Sequence, residues 1–147
     1  MKYPRVLLGL LVVACAAYTL WPKEVHTTQN VMQTVTIGTA VFKVEVVSTE
    51  PARELGLGNR ASLPAGQGML FKFDSPSGWG FWMKDTEFPL DILWARQDGT
   101  ITTIIRNIAT STFPQVFRPK TPDAMYVLEV SAGAAAGIAE GSKMMVQ

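Results

Sequence analysis

The sequence predicts a β-rich α+β fold: one compact domain of about eight short strands, barrel-like or sandwich-like, with one or two short helices. Three observations predict it. Short runs of β-branched and aromatic residues, several strictly alternating with polar ones, recur from Thr34 to Val146. Turn signals punctuate them, above all Gly38-Thr39 and Asp98-Gly99. Segments with helical character are only a turn or two long. The chain of 147 residues has room for one such core and an N-terminal appendage, not for two cores.

The appendage comes first. Val6 to Trp21 is uncharged and rich in Leu, Val and Ala, preceded by Lys2 and Arg5. As a helix it spans roughly 24 Å, against roughly 30 Å for a hydrocarbon core. Tyr18 and Trp21 stand at its far end, where amphipathic rings favour an interface. Residues 1–21 are therefore expected to be a signal anchor or signal peptide. The flanking positive charge keeps the N-terminus in the cytoplasm and places the rest outside. Retention as a membrane span at residues 6–21 competes with two cleavages. Val12-Val13-Ala14-Cys15 resembles a lipobox, which makes Cys15 a lipidation candidate; ordinary cleavage near Ala14-Cys15-Ala16 is the other. Residues 22–33, polar and without periodicity, are expected to be a tether, and residues 34–147 the domain.

Within the domain, Val35 and Ile37 lead through Gly38-Thr39 into a strand where Phe42, Val44 and Val46 alternate with Lys43 and Glu45. Ser48-Thr49-Glu50-Pro51 opens a short helix, with a hydroxyl cap and acids near the positive dipole end; Gly56 and Gly58 stop it. Met69, Phe71 and Phe73 share one face of the next strand. Phe81 to Met83 and Leu90 to Arg96 read as two strands around a Lys84–Pro89 connection. Asp98-Gly99 turns the second into Ile101 to Arg106. Three prolines between Ile108 and Pro122 predict an irregular loop. Ala124 to Val130, apolar on both faces, predicts a central strand. Ala132 to Ile138 fits a helical turn or two, and Lys143 to Val146 a closing strand.

Several functions are excluded by composition. With Lys2, Arg5, Lys23 and Glu24 set aside, ten of the 13 basic and eleven of the 12 acidic residues remain. That balance is not a nucleic-acid-binding surface. Cys15 is the only cysteine and His26 the only histidine, both ahead of the domain. A disulfide, a Ser-His-Asp triad, a Cys-His pair and a multi-histidine zinc site are thus ruled out within it. Gly66 and Gly68 lack the Lys-Ser/Thr of a phosphate loop, and no cofactor motif is present.

Four blocks in order carry a resemblance: Gly68-Met69-Leu70-Phe71, then Phe81-Trp82-Met83-Lys84-Asp85-Thr86, then Pro89-Leu90-Asp91-Ile92, and Tyr126-Val127-Leu128-Glu129-Val130 with Ala132-Gly133. Together, across Val41 to Val146, they resemble the prokaryotic family called domain of unknown function 192. The resemblance implies a fold and no reaction. It also implies that asparagine is usual where this chain has Asp85. Many members resemble this chain in carrying a signal peptide or anchor.

The candidate site is the stretch from Phe81 to Trp94, where charges interleave with large aromatics. Asp91 and Glu129 lie within apolar strands, where an ion is costly unless paired or hydrogen-bonded. In one reading they converge with Lys84 and Asp85 in a cleft under Trp82, for acid–base work or a divalent cation. In the other, Arg60, Lys84 or loop amides neutralise Asp91. Asp85 with Thr86 also suits a loop turn, and Trp82 and Trp94 are either a sugar-stacking platform or core. The expected ligand-binding set is Arg60, Trp82, Lys84, Asp85, Thr86 and Asp91. The leading expectation is an extracytoplasmic, membrane-tethered binding or accessory domain whose ligand is an envelope glycan or protein. A hydrolase using Asp91 and Glu129, and a structural protein–protein module, are the alternatives.

Overall fold

In the computed structural model the described residues are 31–147. The apolar segment at 6–21, Cys15, His26 and the first part of the tether lie outside them. Among the described residues no helix is long and apolar enough to cross a membrane.

Seven strands form one curled sheet: β1 (Val31–Ile37), β2 (Ala40–Val47), β3 (Gln67–Ser77), β4 (Leu90–Ala95), β5 (Ile101–Ile108), β6 (Ala124–Ser131) and β7 (Met144–Val146). Their order across the sheet is β5-β4-β6-β3-β2-β1-β7. Every pairing is antiparallel except β2 with β3. A parallel pair needs a crossover, which is supplied by a short helix α1 (Glu50–Leu55) and the loop after it. β6 lies between β4 and β3, as its two-sided apolarity predicts.

The sheet curls until its ends approach. Past the β4–β5 hairpin, Met144 N donates to Gly99 O at 2.8 Å and Ile101 N to Ser142 O at 2.9 Å. Thr100 and Lys143 form an isolated bridge there. Gly99 is required at this seam: its φ is +80°, and an added Cβ would lie 2.3 Å from Met144 O.

One face of the sheet carries a core drawn from all seven strands, including Val35, Phe42, Val44, Leu70, Leu93 and Met144. The opposite face of β3, β4 and β6 carries Met69, Phe71, Ile92, Trp94 and Val127. It is covered by Leu57, Phe81 and Met83 from the connections. All of β4 is consequently buried. Alternation in β2 and β3 places Phe42 and Val44 on the first core and Met69 and Phe71 on the second, as the sequence pattern predicts.

Four local expectations change. The domain has seven strands rather than about eight, with one α-helix and a 3₁₀ turn at Thr110–Thr112. Phe81 to Met83 is no strand. Phe81 makes a single two-bond bridge to Phe117, while Phe81 and Met83 are buried and Trp82 is exposed. Ala132 to Ile138 is a chain of turns closed by i→i+3 bonds, because Gly133 sits at φ +85° and interrupts any helix. Thr49 occupies the N-cap of α1 but makes no side-chain cap bond.

Candidate ligand-binding site

Strand register decides where the two buried acids go. Residues directly opposed across an antiparallel ladder share a face. Glu129 on β6 opposes Ile92 on β4 and Met69 on β3, whereas Asp91 opposes Val130. The two carboxyl groups therefore lie on opposite faces of the sheet. The shared cleft expected for Asp91 and Glu129 does not form.

Asp91 is fully buried and accepts three backbone hydrogen bonds: from Asn107 N at 2.9 Å, Gly133 N at 2.9 Å and Ala135 N at 3.0 Å. These donors come from the end of β5 and from the turns after β6, so Asp91 fastens both to β4. No ligand position remains on it. Arg60 is outside the pocket lining, clamped in a two-point ion pair with Glu45 whose second bond, Nη2 to Oε2, is 2.8 Å.

Glu129 opens onto something different. The crossover from β2 to β3 lays α1 beside the second face, and Gly56, at φ +51°, turns the chain back over β3 and β6. An open pocket of about 230 Å³ results, with Glu129 and Phe71 in its lining. Its walls are aromatic. Phe73 and Trp79 stack at 4.0 Å, and Phe71 meets Phe81 edge-on at 4.8 Å. Glu50, Arg53 and Glu54 from α1 and Lys84 and Thr86 from the following loop complete it.

Two side chains of the lining, Glu129 and Trp79, make no side-chain hydrogen bond among the described residues. Glu129 is 4% exposed, and no hydrogen bond or ion pair reaches its carboxyl among the described residues. Burial pushes its pKa up to about 8, so the group is protonated at pH 7. Trp79 Nε1 is also buried without a partner, although Trp79 O accepts from Trp94 Nε1 at 2.9 Å. Unsatisfied buried groups in a folded protein call for a reason.

The basic residues of the lining lie against aromatic rings of the same lining. The Arg53 guanidinium lies 5.0 Å from the centre of the Phe73 ring and donates to Lys72 O at 3.1 Å and to Ser48 O. Lys84 Nζ is 6.0 Å from the Trp82 ring centre. Trp82 is 46% exposed and meets Phe113 edge-on at 6.1 Å. Among the described residues no group of three or more potential metal ligands occurs.

The profile of an uncharacterised family, domain of unknown function 192, matches residues 33–146. The chain belongs to this family. Two solved structures are similar to this domain of unknown function 192. A protein from Sinorhizobium meliloti 1021, described as a candidate transcription regulator, is 32% identical with a TM-score of 0.74. The match covers 80% of this chain and 95% of that one. A protein of unknown function from Novosphingobium aromaticivorans is 31% identical with a TM-score of 0.71, covering 82% and 89%. No curated protein matches the chain.

Within this member of domain of unknown function 192, four of the sequence-predicted site residues come together in the pocket lining: Trp82, Lys84, Thr86 and Glu129. Asp85 does not. It sits at φ +54°, and its carbonyl accepts from Asn59 N at 2.7 Å. Asparagine and aspartate both tolerate that left-handed conformation, which accounts for either residue at this turn. Sequence reasoning missed Arg53, Phe73 and Trp79. Phe73 was assigned to the correct face, but nothing local says that α1 leaves a gap beside it.

Proposed function

We propose that this chain is an extracytoplasmic binding domain, tethered to the cytoplasmic membrane through residues 6–21, whose pocket takes the end of an envelope glycan. One observation carries the reading. The Glu129 carboxyl lies buried, unpartnered and directed into an open, aromatic-walled pocket. Small-ligand sites combine apolar walls with a few convergent polar groups, and a pocket of about 230 Å³ suits one ring or a chain end. Trp82 at the mouth offers a face for the C–H side of a sugar.

The separation of Asp91 from Glu129 argues against the two-carboxylate hydrolase, which needs both acids beside one bond. A purely structural module leaves a buried neutral acid in a cleft without purpose. Transcriptional regulation, the description given to the Sinorhizobium protein, finds no support in the balanced charge of this chain after residue 24.

The test is retention of the full-length chain, in mild detergent, on isolated envelope polymers. Trp82→Ala and Glu129→Gln are each expected to lower retention while circular dichroism and the unfolding midpoint near pH 5 show an intact fold. Retention equal to the wild type in both variants refutes the reading.

A further inference from the structure

We propose that the group recognised by this pocket is an organic cation, a primary or quaternary ammonium, held against the aromatic walls with Glu129 as its counter-charge. The inference rests on the pocket reading above and names its ligand class.

A buried carboxyl without a hydrogen-bond donor is an arrangement that folding alone disfavours. A neutral hydrogen-bonding ligand would satisfy one oxygen. A cation does more, because pairing returns the proton to solvent and converts the whole group into an acceptor. The surroundings are suited to that charge. Phe71, Phe73, Trp79 and Phe81 line the pocket, and cations are attracted to aromatic rings. The protein already shows the preference in its own residues: Arg53 lies over Phe73 and Lys84 approaches Trp82.

On the sheet face of Glu129, β2 contributes Glu45, which is paired with Arg60. From α1 come Glu50, Arg53 and Glu54; from the loop after Phe81 comes Lys84. Arg53 is held by two backbone carbonyls, and neither Arg53 nor Lys84 makes an ion pair with Glu129. Asp91 lies on the other sheet face, tied to three amides. With Glu129 ionised, three acids in the lining face two bases. A positive ligand balances the set.

The full-length chain in mild detergent would be titrated calorimetrically at about pH 6.5 with glucosamine, glucose and choline. At that pH Glu129, with its pKa at about 8, is protonated in the free protein. Glucosamine and glucose differ by an ammonium in place of a hydroxyl, and choline carries a fixed charge without a sugar ring. The expected result is at least about tenfold tighter binding of glucosamine than glucose. Choline should release close to one proton per molecule bound, read from buffers of different ionisation enthalpy. Comparable binding of choline and glucosamine identifies the ammonium alone as the recognised element; a further gain for glucosamine adds the ring. Glu129→Gln should abolish both the preference for glucosamine over glucose and the proton release on choline binding. Equal binding of glucose and glucosamine to the wild type overturns the cation and leaves the pocket reading standing. Failure of all three probes, with envelope retention still dependent on Trp82, also overturns the cation. Loss of both results overturns the pocket reading as well.

Discussion

Replacing Glu129 by glutamine should flatten the dependence of stability on pH between about 4.5 and 8. The carboxyl has an ordinary value of 4.5 and is pushed up to about 8 by burial. In that window the folded chain holds a proton that the unfolded chain has released. The stabilisation is therefore complete below pH 4.5 and is lost as pH rises through 8. Each unit between these limits costs about 1.4 kcal/mol. The wild type should lose about 3 kcal/mol between pH 4.5 and 7, and about 5 kcal/mol in total above pH 8. Glutamine keeps the shape without the ionisation, so wild type and variant should lie within about 1 kcal/mol of each other near pH 4.5 and diverge above it. Urea unfolding of the full-length chain, followed by tryptophan fluorescence at several pH values, measures the difference directly. Asp98, Asp123 and Glu140 do not intrude. They are held below their ordinary values chiefly by hydrogen bonds from Lys143, Thr121 and Lys120, so their contributions disappear only as pH falls through the acid range. His26 is common to both proteins and cancels. Parallel stability curves for the two proteins from pH 5 to 9 would refute the buried, unpaired state of Glu129.

Three further outcomes follow from the same geometry. Asp91→Ala removes a buried carboxylate that accepts from one buried and two part-buried amides, and should cost about 2–4 kcal/mol. It is read as a lower urea midpoint, and a loss below about 1 kcal/mol would contradict the assigned fastening role. Gly99→Ala puts a methyl against Met144 O at a left-handed position and should cost about 2 kcal/mol or more. Faster amide exchange at Ile101 and Met144, with β3 and β6 unaffected, would mark the opened seam. Trp82→Ala, at a half-exposed position, should change stability by less than about 1 kcal/mol; a larger loss measured by thermal unfolding would make Trp82 part of the core.

What the sequence shows and what it hides divide by distance along the chain. The faces of β2 and β3 follow from alternation over a few residues, and Phe42, Val44, Met69 and Phe71 lie where that pattern puts them. The hairpin at Asp98-Gly99 and the central place of β6 are legible for the same reason. The partners of Asp91 are not, since Asn107, Gly133 and Ala135 lie 16, 42 and 44 residues away. The parallel pairing of β2 with β3 is also long-range, and it alone places α1 beside Glu129. Apolar context correctly marks Asp91 and Glu129 as costly acids. Only the register shows that one is satisfied and the other faces a pocket. Trp79 and Trp82 illustrate the same limit. Three residues apart, one is stacked in the pocket wall and the other stands in solvent.

The most direct test of a cation pocket floored by a neutral acid is the carboxyl carbon resonance of Glu129, followed by NMR through a pH titration of the free full-length chain and again with saturating choline. The free protein should titrate near pH 8, and choline should lower that midpoint by at least about 2.5 units, as release of close to one proton at about pH 6.5 requires. A midpoint in the ordinary carboxylate range, unmoved by choline, would contradict the account.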